Sequence, residues 1–351
     1  MAISTIDNNG VNLGQLGSRN LITNGAMRIN QRGNFTLATT GSPEYGGPDR
    51  YFMWSYTSTE QVVADISQAT DVPSGQGFSY SYKVDVTTAE SAVAAEETLT
   101  IGQFIEAQNV QHLEYGTSSA KNVTVSFWIK STKTGTYCFS LNQPDGSRVY
   151  VKEYTVDASD TWEKKIITIP GDASGTINND NGRGLWLQWV LMAGTNRQGT
   201  ANAWRGSQFE LATSNQVNAV DNASNNIYLT GVQLEVGDTA TPFEHRSYGA
   251  ELALCQRYYY YVGKVANNVL LGGYMSPAQD DYLGWMTFPV QMRASPSFNK
   301  YGTWTVSNCG QPNATFFSEQ GCTLYVSVSP AGSWYAHTNS TDDYMEWDAE
   351  L

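Results

Sequence analysis

The chain has 351 residues, of which 40% are hydrophobic and 12% aromatic, and this composition excludes an intrinsically disordered protein. The formal net charge of −13 argues against nucleic acid as a partner, because a surface that binds phosphates needs clustered lysine and arginine. No stretch is long and apolar enough to cross a bilayer, and Met1–Arg19 lacks the basic start and apolar run of a signal peptide. We therefore expect a protein that is made in a cytosol and is not inserted into a membrane.

The first 19 residues are polar, rich in Gly and Asn, and without clear periodicity. One interpretation is a floppy terminus. The other is an extended attachment arm, residues 1–19, that becomes ordered on another subunit. The composition favours neither.

Residues 20–246 carry dense β-strand signals. Apolar side chains recur at every second position in several stretches, which predicts strands with one face on a core. The residues predicted to share a face are Phe78, Tyr80, Tyr82, Val84 and Val86; Val123, Val125, Phe127 and Ile129; and Tyr228, Thr230, Val232, Leu234 and Val236. Many short strands separated by Gly, Asn and Pro turns predict a β-sandwich.

Two short helices interrupt this pattern. One is predicted at Asn109–Tyr115 and the other at Ala250–Tyr258, where Ser247 is a candidate N-cap. A second β pattern then runs to the end of the chain. The predicted fold is all-β, with two β-sandwich, jelly-roll-like domains at 20–246 and 259–351, a polar N-terminal arm and a helical linker at 247–258.

Three segments resemble one family. They are NLITNGAMRINQRG (Asn20–Gly33), GVQLEVGDTATPFEHR (Gly231–Arg246) and SYGAELALCQRYYYY (Ser247–Tyr261). They resemble bacteriophage virion proteins, mostly from marine phages, described as tail-fibre or minor structural proteins with a jelly roll like a carbohydrate-binding module. The resemblance covers roughly residues 1–261, and it implies a place in the virus particle more firmly than it implies a ligand.

The resemblance implies a tail fibre or tail appendage that is assembled in the host cytoplasm and becomes part of the virion. Such a protein would dock on other virion subunits through its arm, adhere to a host surface glycan without catalysis and, by analogy, form a homotrimer. One alternative is a capsid decoration or head-fibre protein. A second is a depolymerase that cuts the same glycan.

Aromatic side chains are the best candidates for glycan contact, because sugar rings stack on exposed Trp and Tyr. The predicted glycan-binding residues are Trp204, Trp186, Trp334 and Tyr335. Packing between sheets or subunits is the alternative for each of them. Trp186 and Trp189 fall on opposite faces of one strand, and so we expect at most one of them in the core.

The sequence offers little for catalysis, cofactors or redox chemistry. The histidines His112, His245 and His337 share no motif, and no catalytic residue and no cofactor is predicted. The family resemblance allows a structural calcium whose ligands the sequence does not place. The loop 178–182 offers oxygen atoms but is more typical of a turn. Cys309 and Cys322 could meet across a hairpin, although a cytosolic origin disfavours a disulfide.

Overall fold

The computed structural model describes residues 19–37, 41–56, 62–275, 281–329 and 331–351. Apart from Arg19, the predicted arm lies outside these residues. The chain divides into two compact units, of which one ends at Tyr248 and also takes in Leu351, and the other is Gly249–Glu350. The described part is nearly all β, so the predicted fold class is confirmed. No helix in these ranges is long and apolar enough to cross a membrane.

The first unit contains two antiparallel sheets. One has six strands in the order β1-β4-β5-β13-β7-β10. In chain order these are β1 (Phe35–Leu37), β4 (Val63–Ala69), β5 (Ser81–Thr88), β7 (Val123–Ser131), β10 (Glu163–Ile169) and β13 (Asn226–Val236).

The other sheet has seven strands in the order β12-β9-β8-β11-β6-β3-β2. These are β2 (Pro43–Tyr45), β3 (Phe52–Tyr56), β6 (Thr98–Glu106), β8 (Gly135–Gln143), β9 (Arg148–Val156), β11 (Arg183–Ala193) and β12 (Trp204–Arg205). The described part of this unit also contains the 3-10 helices Ala107–Leu113 and Thr195–Arg197, which lie between strands. The first of them overlaps the helix predicted at Asn109–Tyr115.

The main core of the first unit is built from the inward faces of both sheets. On β7, the predicted apolar face is confirmed, since Val123, Val125, Phe127 and Ile129 are all buried. The ring of Trp189 on β11 lies 5.7 Å from that of Phe127, edge to face. These side chains form one continuous cluster, as expected for a sandwich.

A second apolar cluster covers the other face of the seven-stranded sheet. It contains Trp186 and Val190 of β11, Val151 of β9, and Leu211 and Ala212 from the loop that follows β12. The prediction that at most one of Trp186 and Trp189 is in a core is therefore wrong. The two rings do point to opposite faces, but a covered sheet buries both faces, so each ring packs in a cluster of its own.

Strand β13 changes face part-way along its length. Its pairing with β7 shifts register between Thr230, which pairs with Trp128, and Gln233, which pairs with Ser126. Over this interval β13 therefore contains one residue more than β7. Because an extra residue inverts the alternation, Ile227 and Leu229 are buried before the bulge, whereas Leu234 is buried after it. The prediction of a single apolar face from Tyr228 to Val236 is wrong for its first half.

The second unit begins with one α-helix, α1 (Tyr248–Gln256), which starts and ends two residues earlier than predicted. Three small antiparallel sheets follow, in the strand orders β14-β22-β17, β15-β21-β18 and β16-β20-β19. The strands are β14 (Tyr259–Gly263), β15 (Val269–Met275), β16 (Asp281–Thr287), β17 (Ser297–Tyr301), β18 (Thr305–Ser307), β19 (Asn313–Thr315), β20 (Gly321–Ser327), β21 (Gly332–His337) and β22 (Tyr344–Asp348). Met292, Trp304 and Trp347 are central to its core.

Candidate functional site

Residues 237–246, here called the return segment, follow β13 and lie against the outer face of the six-stranded sheet. Gln233 and Glu235 of β13 point to that face and hold the segment. The amide oxygen of Gln233 accepts the backbone N–H of Glu244 at 2.7 Å. The carboxylate of Glu235 accepts the backbone N–H of Thr241 at 2.9 Å and its hydroxyl at 2.5 Å. The polar face of the strand therefore positions the return segment.

Asn20 joins the start of the described chain to the same place. Its side chain, which is almost wholly buried, donates to the carbonyl of Val232 at 3.1 Å and accepts the N–H of Leu234 at 3.0 Å. Its own N–H donates to the carboxylate of Glu244 at 2.7 Å, and its carbonyl accepts from Arg246. The segments Asn20–Gly33 and Gly231–Arg246, which are distant in sequence, are thus bonded to each other.

The bulge in β13 centres on Gly231, which has a left-handed φ of 61°. A Cβ at this position would lie 2.6 Å from Cζ of Phe78 and 3.0 Å from Cδ1 of Trp128. Only glycine accommodates both this backbone conformation and this close approach. The bulge therefore leaves room for both aromatic rings beside Gly231.

These rings help to line an open pocket of about 520 Å³ on the outer face of the six-stranded sheet. Residues from β7, β10, β13, the return segment and the loop before β5 surround it. They are Gly75, Gln76, Phe78, Ser126, Trp128, Lys164, Gly231, Ala240, Thr241, Pro242, Phe243 and His245. A pocket of this volume is in the range that holds a small ligand.

Three rings form a cluster along one wall of the pocket. The centroids of Phe78 and Phe243 lie 5.0 Å apart, edge to face, and His245 lies 4.9 Å from Phe243 and 5.6 Å from Phe78. Phe78, Phe243 and Trp128 are half-buried, and His245 is exposed. The prediction that Phe78 shares the core face of β5 is wrong, because β5 begins only at Ser81 and Phe78 lies in the loop before it.

Polar groups stand beside these rings. Lys164 on β10 lies directly opposite Trp128 in the β7–β10 register. Among the described residues, no hydrogen bond or ion pair involves the side chains of Gln76, Lys164 or His245. The pocket thus combines exposed ring surface with unused hydrogen-bonding groups.

A charged cluster lies farther along the same face. The ammonium of Lys130 pairs with Asp71 at 2.5 Å and with Asp160 at 3.0 Å, and Trp162 donates its indole N–H to Asp71 at 2.9 Å. Burial acts to raise the pKa of Asp71, but the hydrogen bonds from Lys130 and Trp162 outweigh it and hold the pKa below its ordinary value. These groups satisfy one another and leave little for a ligand.

Two of the predicted glycan-binding residues lie in the first unit, on opposite faces of the seven-stranded sheet. Trp186 is only 8% exposed and packs against Trp54 and Phe104, with ring centroids 5.1 Å away in each case. Trp204 is half-buried, donates its indole N–H to a backbone carbonyl at 2.7 Å and packs against Tyr150. Both tryptophan rings therefore pack against other aromatic side chains of the first unit.

The other two predicted residues, Trp334 and Tyr335, are neighbours on β21 in the second unit. Trp334 is 2% exposed and packs with Val326 and Val328. Tyr335 is 41% exposed and stacks on His337 at 5.7 Å. Of the four predicted residues, Tyr335 has the most accessible ring, and sugar contact by the set stays a prediction.

Residues of the loop that offers oxygen atoms for a metal have structural partners. In the loop 178–182, Asp180 accepts the N–H of Gly182 at 2.8 Å, and Asn178 donates to Asp145 at 2.9 and 3.0 Å, which is the geometry of a turn. No group of three or more His, Cys, Asp or Glu side chains able to hold a metal occurs in the described ranges. The calcium site stays a prediction.

The cysteines are free thiols. Cys309 and Cys322 do not form the disulfide that the sequence left open. Burial raises the pKa of the Cys138 and Cys322 thiols to about 11. Because thiolates are the reactive form, both are poor nucleophiles near neutral pH.

No protein-family model matches the sequence, and neither does any curated protein. Three solved structures that are similar to this chain are a domain of a phage tailspike, a carbohydrate-binding module, and a second carbohydrate-binding module with a bound oligosaccharide. The enzymatically active domain of bacteriophage CBA120 tailspike protein 4 is 13% identical, with a TM-score of 0.35 over 62% of this chain and 21% of that one. The family 11 carbohydrate-binding module of a Clostridium thermocellum cellulosomal cellulase is 14% identical, with a TM-score of 0.30 over 60% of this chain and all of that one.

The third, a family 61 carbohydrate-binding module in complex with β-1,4-galactotriose, is 12% identical, with a TM-score of 0.28 over 62% of this chain and 99% of that one. This chain spans about a fifth of the tailspike domain. At these identities and TM-scores, neither a ligand nor an activity is transferred to it.

Most of the pocket was not predicted from the sequence. Alternation along β7 put Trp128 on the polar side of its strand, and the family resemblance drew attention to the segment that contains Phe243 and His245. The available signal was an apolar Pro-Phe pair in a polar stretch directly after a strand. Its proximity to Trp128 depends on the folding back of the return segment, and the pattern of alternation contains no such information.

Proposed function

We propose that this protein is a non-catalytic glycan-binding protein of a phage virion, a tail fibre or tail appendage that adheres to the host surface. The observation that carries this proposal is the open pocket, in which half-buried aromatic rings flank unused polar groups. Two of the three segments that resemble phage virion proteins, Asn20–Gly33 and Gly231–Arg246, supply the setting. These segments are bonded to each other, and the second forms one wall of the pocket.

The chemistry of the pocket suits a sugar. Sugar rings present C–H groups to aromatic faces and hydroxyl groups around their edges. Phe78, Trp128 and Phe243 supply the first kind of contact, while Gln76 and Lys164 supply hydrogen-bond donors beside them. A few fixed polar groups around an apolar floor are typical of small-molecule sites.

Binding without turnover is supported by the composition of the pocket. Most glycosidases need two carboxyl groups about 5–10 Å apart. Among the described residues that line the pocket there is no Asp or Glu. The nearby carboxylates of Glu235 and Glu244 accept hydrogen bonds from the backbone, which holds the return segment in place.

Glycan-array binding followed by calorimetry with the full-length protein tests the proposal. We expect Trp128→Ala and Phe243→Ala to weaken glycan binding about tenfold each, since an aromatic contact contributes about 1 kcal/mol or more. Gln76→Ala, at an exposed loop position, tests the same pocket with little effect on folding. Unchanged melting temperatures would show that the variants fold.

Trp204→Ala and Tyr335→Ala are the matched controls, because both residues are candidates from the sequence outside the pocket. If these variants lose binding while the pocket variants keep it, the site lies elsewhere. If no glycan binds, a capsid decoration protein is favoured. Release of reducing ends from a bound polysaccharide would identify a depolymerase.

A further inference from the structure

The pocket has a charge opposite to that of the whole protein. The chain carries 33 acidic and 20 basic residues. Nevertheless, the lining residues include Lys164 and His245 and no carboxylate. In so acidic a protein, a pocket lined by a lysine and by no carboxylate among the described residues suggests a function for the charge of that lysine.

Lys164 also differs from every other lysine of the chain. There are nine lysines, all within the described ranges, and eight of them contact an acceptor or an aromatic face. Those eight are Lys83, Lys121, Lys130, Lys133, Lys152, Lys165, Lys264 and Lys300. Lys164 has no such partner among the described residues. Its ammonium is therefore available to a ligand.

Two acidic side chains adjoin the lining residues, Glu235 through its bond to Thr241 and Glu244 through its place between Phe243 and His245, and both are engaged with other groups. Glu235 binds the backbone of Thr241 and lies 3.2 Å from the guanidinium of Arg19. Glu244 accepts the N–H of Asn20 and lies 3.5 Å from Arg246. The pocket is thus locally cationic.

We propose that the pocket selects an anionic sugar, with its carboxylate or sulfate group paired to Lys164 and its ring against the aromatic wall. This inference rests on the proposed glycan-binding function and specifies its ligand class. An ammonium next to an aromatic floor holds an anionic ring by a charge-assisted hydrogen bond and by stacking at the same time. A neutral sugar stacks in the same way but offers Lys164 only an uncharged hydroxyl group, which makes a weaker hydrogen bond.

The test compares defined probes on the full-length protein by calorimetry. The probes are oligogalacturonates, their methyl esters, sulfated galactose oligosaccharides and neutral galacto-oligosaccharides. We expect an anionic probe to bind at least tenfold more tightly than its neutral counterpart, and this preference to weaken as salt rises. Preference for the carboxylate or the sulfate probes identifies which anionic group is recognised.

Lys164→Gln should reduce the affinity for the anionic probe about tenfold and change the affinity for the neutral probe much less, because glutamine removes the charge but keeps a hydrogen-bond donor. Lys152→Gln is the matched control, because it removes the same charge from β9 of the other sheet. Lys152→Gln should leave the preference for the anionic probe over the neutral probe unchanged. Lys164 is exposed, so its replacement should not change the melting temperature.

The outcomes separate this inference from the proposed function. If Trp128→Ala abolishes binding but Lys164→Gln does not, and neutral probes bind as tightly as anionic ones, the protein binds glycans without charge selection and the inference is wrong. If no probe binds, and array binding does not depend on the pocket either, both the inference and the proposed function are wrong.

Discussion

At the scale of single residues, Gly231 determines whether the pocket exists. Its left-handed φ of 61° allows the bulge in β13, and the absence of a side chain leaves room for the rings of Phe78 and Trp128. A β-bulge of this kind re-aims side chains next to it. Here it puts Tyr228 on the outer face and Leu234 in the core of the same strand.

Gly231→Ala should therefore both destabilise the first unit and weaken glycan binding. The left-handed backbone costs a residue with a Cβ about 1–2 kcal/mol, and displacement of Phe78 adds to this cost. Thermal unfolding and calorimetry measure the two effects. Gly206→Ala is the control, because Gly206 is exposed and a Cβ there would meet no other atom within 4 Å. Equal behaviour of the two variants would contradict this account.

At the scale of elements, the pocket depends on a return segment that has no regular secondary structure. Residues 237–246 form neither helix nor strand, and their position is fixed by side chains of β13 and by Asn20. Buried polar groups of this kind stabilise a fold when every partner is present. The loss of one partner leaves buried backbone groups unsatisfied.

Asn20→Ala should consequently destabilise the first unit by about 3 kcal/mol, since it orphans the N–H of Leu234 and the carbonyl of Val232. It should also weaken glycan binding, because the side chain of Asn20 holds on β13 the backbone groups that bind Glu244 and Arg246 of the return segment. Chemical denaturation gives the free energy of unfolding. Asn215→Ala, which removes an exposed hydrogen bond to Glu153, should cost less than about 1 kcal/mol. A similar cost for both variants would show that Asn20 is no anchor.

At the scale of the whole molecule, the two units differ in how much apolar surface they expose. In the second unit, Leu283 and Trp285 on β16 are 58% and 59% exposed, and Tyr325 lies opposite Leu283 on the same face of that sheet. Apolar side chains clustered on one sheet face commonly mark contacts between subunits. This face suits the homotrimer expected from the sequence.

We expect light scattering to give three times the chain mass of 38.5 kDa for the full-length protein. Leu283→Glu combined with Trp285→Glu should shift the mass towards one chain, because charge on an apolar contact is costly. Ile166→Glu is the control, since Ile166 is as exposed but lies in the first unit. A monomeric wild-type protein at micromolar concentration would remove the trimer prediction.

The sequence by itself determined the fold class and many strand faces. Alternation of apolar and polar residues is a local property, and it predicted correctly that Val123, Val125, Phe127 and Ile129 lie on one buried face. The same pattern failed at Gly231, because a bulge inverts the alternation without changing the composition. It also failed for Trp186, since alternation does not tell whether a second layer covers the outer face of a sheet.

Only the tertiary structure decided where a ligand can bind. Phe78, Trp128, Lys164 and Phe243 come from four separate stretches of the chain and meet over one sheet. Their proximity depends on long-range pairing and on the hydrogen bonds that hold the return segment, and neither has a local signature. Trp186 and Trp334 were likewise predicted to contact a glycan, but the structure buries both of them. Accessibility is a property of the packed molecule and not of the residue type.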